Sequence, residues 1–461
     1  MPILASFMVP HPPMIVPAVG RGSEKQIQKT IDAYIQVSKE IALLHPDTII
    51  VTSPHATMYR DYFHISPGSG ASGSFEQFCA PFVAFKEQYD TELAGYIETQ
   101  AAKSSFPAGT EGERDPKLDH GTMVPLWFIR QFCADFKIVR IGLSGLPLTE
   151  HYMLGTIIQK SVQLSGKRVI FVASGDLSHK LQPYGPYGYA PEGPQYDERV
   201  MDVCGRAAFG ELFEFSETFC DKAAECGHRS FVVMAGIWDG IAVKATVLSH
   251  EDITGVGYGI CTFYPEAPDE SRHFLDLYNQ KRENELIKKR MNEDPYVQLA
   301  RKSLESYILY RRTLPVPSNL PAELVSRRAG AFVSLHKNGL LRGCIGTISP
   351  VADTLAEEII QNAVSASSRD PRFPPVRPEE LKDLEISVDV LGEPERVLSE
   401  EELDVKRYGV IVTSGMRRGL LLPDLEGVDT VSEQIAIARQ KAGIRPGEKV
   451  SLQRFEVVRH I

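Results

Sequence analysis

Apolar and polar positions follow two regimes along the chain, and they change near residue 265. In the first regime, short continuous apolar runs alternate with stretches of helical spacing. Residues 3–9 read as a buried strand, and residues 24–44 as an amphipathic helix with Ile27, Ile31, Ile35 and Ile41 among its apolar positions. Residues 48–52 are the next strand, and further strands are expected at 137–143, 168–173, 242–248 and 255–264. Helices are expected at 90–102, 123–132, 152–164, 197–207 and 228–239. Strands separated by helices predict an α/β domain over residues 1–264, with a mainly parallel or mixed central sheet flanked by helices.

Residues 265–293 break the pattern. They begin with Pro265 and Pro268 and carry dense charge, including Lys288, Lys289 and Arg290, which reads as a charged linker containing an exposed helix. From 294 to 461 the pattern is that of an α+β domain with an antiparallel sheet. Residues 297–310 are helical, and strands at 331–336 and 340–345 flank the turn Lys337, Asn338, Gly339, a strong hairpin signal. A helix at 355–366, strands at 384–391, 409–414 and 420–422, and a helix at 431–442 complete the domain. The glycine-rich segment 68–73 reads as a flexible loop that could border a site, because it lacks the strand-to-helix setting and the Lys-Ser or Lys-Thr ending of a phosphate loop.

Composition narrows the function classes. The chain has 461 residues, enough for two or three domains, and a formal charge of -10, which disfavours a nucleic-acid binder. No apolar run approaches the roughly 18 residues of a membrane span, and the N-terminal apolar run lacks the basic flank of a signal peptide. Seven scattered cysteines without a C-x-x-C pair fit a reducing cytoplasm and no disulfide scaffold.

The candidate chemistry lies where strands should end. His11 follows the first strand in VPHPP (9–13), His55 follows the second in SPH (53–55), and His179 follows a later one in SGDLSH (174–179). The carboxyl ends of parallel strands share one edge, so these histidines can converge despite their separation in sequence. Glu225 and Cys226 precede a predicted helix, where the dipole favours an anionic side chain. The expectation is a non-haem metal held by His11, His55 and a third donor from Glu225 or, alternatively, Cys226. Two histidines and a carboxylate are the pattern for iron(II), whereas a thiolate favours copper(I) or zinc(II).

These motifs, with DHG (119–121) and ECG (225–227), resemble the LigB-type, class III extradiol dioxygenase superfamily and the related Memo proteins over residues 1–264. The resemblance implies iron(II) on His11, His55 and Glu225, His179 as the acid-base catalyst, and His120 in contact with substrate. A catechol would bind the metal while His179 takes a hydroxyl proton. Cys226 departs from that pattern, because Memo-type relatives carry a metal-site cysteine in this segment. An oxygen-independent hydrolase or lyase and a metal-binding interaction protein therefore stand as alternatives.

In the second half, LRGCIG (341–346), SRDPRFPP (368–375) and GLLLP (419–423) are similar to the AMMECR-type domain. Strand alternation would place Arg342 and Cys344 on one face, with Arg369, Asp370 and Arg372 in a proline-rich loop able to close over it. That arrangement reads either as a small anionic pocket with Cys344 as nucleophile or as a buried cysteine with structural Arg–Asp pairs. Whether His336 shares that face depends on the hairpin register. Memo-type, AMMECR-type and radical-SAM proteins form a recognised gene grouping, so the fusion suggests consecutive steps on one substrate or a shared partner, and a radical-SAM protein is a candidate partner because the chain has no C-x-x-x-C-x-x-C run of its own. A small-molecule substrate, aromatic if the likeness extends that far, and a homo-oligomer are the remaining partner expectations.

Overall fold

The computed structural model describes residues 3–425 and 427–461, and the chain divides into two compact units, residues 1–280 and 281–461. The first unit is built on a six-stranded sheet of β1 (Ile3–Val9), β2 (Thr48–Ser53), β3 (Lys137–Gly142), β4 (Val169–Ser174), β5 (Ile241–Glu251) and β6 (Tyr258–Pro268), in the order β3-β2-β4-β1-β6-β5. The first four strands of that order are parallel; β6 joins β1 antiparallel, and β5 joins β6 antiparallel. This is the mixed sheet expected from the alternating pattern.

Both β2 and β4 are buried along their whole length, which is why they read as unbroken apolar runs. Their side chains alternate between two cores. Ile50, Phe171 and Ala173 pack on one face with α2 (Thr91–Lys103), α4 (Leu148–Ser165) and α6 (His228–Gly236). Ile49, Val51, Ile170 and Val172 pack on the other with α1 (Gln28–Leu44) and α3 (His120–Ile129). A helix α5 (Glu192–Gly205) follows the long loop after β4. With both sheet faces covered, the open edge at the carboxyl ends of β1, β2 and β4 is left to carry loops.

The segment expected to be a flexible loop at 68–73 is different. Gly70–Phe75 is a strand paired antiparallel with Ala80–Gln88. Its glycines hid it from the apolar pattern, and Gly73 is there for close approach: a Cβ would lie 2.7 Å from Met123 Sδ and 2.9 Å from Leu118 Cβ. In the region expected as a linker, β6 continues to Pro268 and α7 (Phe274–Met291) is a helix without a buried residue. Among the described residues, no helix is long and apolar enough to cross a membrane.

The second unit has two antiparallel four-stranded sheets. The first contains β7 (Ala331–Lys337), β8 (Leu340–Gly346), β9 (Leu384–Leu391) and β14 (Val457–His460), in the order β8-β7-β9-β14. The second contains β10 (Glu395–Val397), β11 (Gly409–Ser414), β12 (Arg417–Leu421) and β13 (Ser451–Phe455), in the order β10-β13-β11-β12. Helices α8 (Pro295–Tyr310) and α9 (Leu355–Ser368) cover the first sheet, and α10 (Val431–Lys441) covers the second.

A bulge corrects the expected alternation of β8. Leu335 pairs with Gly343 but His336 pairs with Leu341, so Arg342 is the extra residue. Its guanidinium turns to Glu380, at 3.0 Å, and to the carbonyls of Pro374 and Pro375 rather than sharing the face of Cys344. Burial would raise the Glu380 carboxyl, but hydrogen bonds from Arg342, the Arg377 amide and Lys337 outweigh it and hold the pKa at about 2. A depressed carboxyl stabilises the fold fully above its unfolded value and loses that contribution as pH falls through the folded one. The calorimetric transition of the second unit should therefore lose on the order of 2 kcal/mol between pH 5 and 2 through this group. Glu380→Gln should remove that part of the slope, and an unchanged slope would mean that the pair contributes nothing.

Candidate metal centre

The site forms at the carboxyl edge of the parallel strands. In the sheet β4 lies between β2 and β1, so the loop after each outer strand overhangs the end of β4 from opposite sides. His11, two residues past β1, and His55, two residues past β2, meet there with their Nε2 atoms 3.1 Å apart. The Tyr34 hydroxyl donates to the Pro10 carbonyl and fixes the approach of His11.

The end of β4 sets the His11 tautomer. Ser174 Oγ donates to the Gly121 carbonyl at 2.6 Å, so it accepts from His11 Nδ1 at 2.9 Å. His11 Nε2 then carries a lone pair, directed at His55. Burial, followed by the proximity of His55, lowers the His11 pKa to about 3, so the ring is neutral. Two nitrogens at this separation, one of them a lone pair with its proton excluded, make a geometry that suits a shared cation.

Cys226 completes the group. Its Sγ lies 3.6 Å from His11 Nε2, and the ligand atoms of His11, His55 and Cys226 all lie within 4.8 Å of one another. Such separations fit donors placed about 2.0–2.3 Å from one tetrahedral ion. Burial and the neighbouring Asp176 carboxylate push the Cys226 thiol up, so a thiolate there calls for a cation beside it.

Of the two third donors expected, Glu225 is engaged elsewhere. Its carboxylate accepts from the His228 amide at 2.6 Å, at the start of α6. Burial raises its pKa to about 7. The adjacent positions thus divide the work: the carboxylate satisfies an orphan N–H of the helix, and the thiol faces the histidines.

His120 and His179 surround this group from two sides. His120 opens α3, whose N-cap Asp119 accepts from Thr122 and from Ser53 Oγ, and its ring lies 4.0 Å from that of His55. Desolvation lowers its pKa to about 3. Gly121 permits the approach, since a Cβ there would sit 2.3 Å from Ser53 Oγ. Buried Arg140 lies 3.7 Å from Asp119 and donates to the Lys117 carbonyl, holding this corner from behind. His179 belongs with Asp176 and Cys226 in a second group of donors within 4.8 Å. Its Nε2 is buried without a hydrogen-bond partner, and its ring stacks on Tyr187 at 5.1 Å. Burial lowers its pKa and the Asp176 carboxylate partly offsets this.

The pattern of strand ends did not single out Asp176, Ser174 or Tyr187. Asp176 accepts from the His11 amide at 2.7 Å and donates its own amide to Cys226 Sγ at 3.3 Å, linking the two walls of the site. It and Ser174 stand in the same six-residue motif as His179, one at the end of β4 and one just beyond it. Tyr187 carries no signal beyond an aromatic in a Gly- and Pro-rich loop. In the second unit, Arg369 is exposed at the end of α9, Asp370 accepts from the Cys344 amide, and Arg372 donates to Asp370 and to the Cys344 carbonyl.

Comparison with known proteins agrees with this division. Residues 5–261 match the family described as the catalytic LigB subunit of aromatic ring-opening dioxygenase, and residues 297–460 match AMMECR1. The protein CA_C1420 of Clostridium acetobutylicum is 42% identical over 98% of both chains. A Thermotoga maritima protein is 53% identical over 37% of this chain and 99% of its own. A crystal structure of the Pyrococcus horikoshii protein PH0010 is 34% identical and covers 36% of this chain and 88% of that one, with a TM-score of 0.34. The chain belongs to the family of the catalytic LigB subunit of aromatic ring-opening dioxygenases, with an AMMECR1 domain following in the same polypeptide.

Proposed function

We propose that the first unit is a copper-dependent oxidoreductase of the ring-opening dioxygenase class, holding its metal through His11, His55 and Cys226 and acting on a small aromatic molecule. The observation that carries this reading is the meeting of two imidazole nitrogens and a sulfur, while Glu225 is occupied by α6. Two imidazoles and a thiolate are a softer set than two imidazoles and a carboxylate, which favours copper or zinc over iron(II). Of these two, only copper also fits redox chemistry. Bound there, it would supply a Lewis acid and a one-electron couple.

The remaining work falls to the chain. His179 presents the unpartnered Nε2 and takes the proton of a substrate hydroxyl. Tyr187, stacked on His179, and Phe78, 5.5 Å from His120, give an aromatic substrate faces to lie against. Asp176 ties the His11 and Cys226 segments together, so the loop after β4 keeps His179 in register with the donors.

Metal analysis of the full chain, isolated under reducing conditions, should find about one copper per chain. His11→Ala and Cys226→Ser should reduce it to background. Glu225→Gln should keep the metal and cost about 1 kcal/mol through the weakened helix start. The reverse pattern, metal lost with Glu225→Gln and kept with Cys226→Ser, would return the carboxylate to the ligand set. Gly175→Ala offers a check on geometry, because its Cβ would lie 2.1 Å from Gly227 Cα and force apart the loops carrying Asp176 and Cys226. Metal content should fall while the far-ultraviolet circular dichroism stays unchanged; full occupancy would show that the loops need not touch. For the reaction, oxygen uptake with a catechol should fall about 10²–10⁴-fold in His179→Gln with metal retained. Equal rates would remove His179 from proton transfer.

A further inference from the structure

The second unit contains a cavity of about 1250 Å³ between its two sheets, walled by Phe332, Leu341, Ile386, Leu420 and Leu422 among others. The bulge in β8 shapes it. Phe332, Ser334 and His336 alternate onto this face of β7, and opposite them β8 presents Gly346, Cys344 and Leu341. Ser334 Oγ donates to Cys344 Sγ at 3.2 Å, so the thiol is held at the wall as an acceptor.

The charge of the lining is opposite to that of the chain. Eight Lys or Arg side chains line the cavity against four Asp or Glu, in a protein of formal charge -10. Several of these cations are not neutralised by neighbours. Among the described residues neither Lys441 nor Arg418 has an ion-pair partner, and both line the cavity with Cys344 and Arg372. Deeper in, Arg301 is 9% exposed; its Nε and Nη2 pair with Glu293, and its Nη1 has no hydrogen-bond partner. A buried guanidinium N–H without an acceptor is costly, and an anion or other acceptor in the cavity would satisfy it.

We propose that this cavity binds an amphipathic organic anion, an apolar body carrying a carboxylate or phosphate head, with the head between Lys441, Arg418 and Arg372 beside the Cys344 thiol. The apolar walls match the body, and the excess positive charge matches the head. The volume is ample for a chain of about ten carbons. The thiol stands beside the head group, which makes it a reporter of what occupies the site.

The experiment uses the full chain and peptide mass spectrometry at Cys344. Iodoacetate and iodoacetamide share a leaving group and differ in charge. At Cys344 the iodoacetate-to-iodoacetamide rate ratio should exceed that at exposed Cys79 by about tenfold, and K441Q with R418Q should reduce the excess. In the unsubstituted protein, decanoate or decyl phosphate should protect Cys344 while decanol does not; whichever anion protects at lower concentration identifies the head group. Ratios equal at the two cysteines, or protection by decanol as strong as by the anions, would overturn the proposal.

Discussion

Buried His11 and the more exposed His55 bring their Nε2 atoms to 3.1 Å of each other, and the rest of the first unit is arranged around that constraint. With no cation bound, neutral His55 can donate its Nε2–H to the His11 Nε2 lone pair across this distance, and a cation would replace that proton between the two nitrogens. Desolvation keeps His11 neutral and the Ser174 hydroxyl holds its Nδ1 proton, so the His11 Nε2 lone pair stays available to a metal. The chain therefore maintains an arrangement that favours a cation, through a hydroxyl at the end of one strand and loops at the ends of two others.

The sheet order makes this possible. Because β4 separates β1 from β2, neither histidine arises from adjacent strands, and Ser174 at the end of β4 can reach His11. The same strand continues into Asp176 and His179, so one segment holds the His11 ring and amide, bridges to Cys226 and carries His179. Close contact between Gly175 and Gly227 brings the Cys226 segment up against it. Rigid strands thus fix residues drawn from four distant parts of the sequence, and long loops need not supply the precision.

The sequence shows what periodicity and chain order encode. Buried parallel strands are unbroken apolar runs, and residues just past them lie on one edge, so His11, His55 and His179 stand out without coordinates. The third donor does not, because Glu225 and Cys226 are neighbours and only the helix start decides which of them turns inward. Arg342 escapes for a related reason: one extra residue in β8 reverses the face on which alternation would place it. The strand Gly70–Phe75 escapes because glycine and serine carry no apolar period, although they are what its close packing requires. In each case the missing information is a contact between segments far apart in the chain.

The identity of that third donor is read most directly by X-ray absorption at the metal edge of the loaded, unsubstituted protein. A His11, His55 and Cys226 site predicts one sulfur scatterer at about 2.2–2.3 Å with nitrogen scatterers near 2.0 Å. A shell of nitrogen and oxygen alone would contradict it, because the thiol would then stand outside the site and a carboxylate would have to take its place.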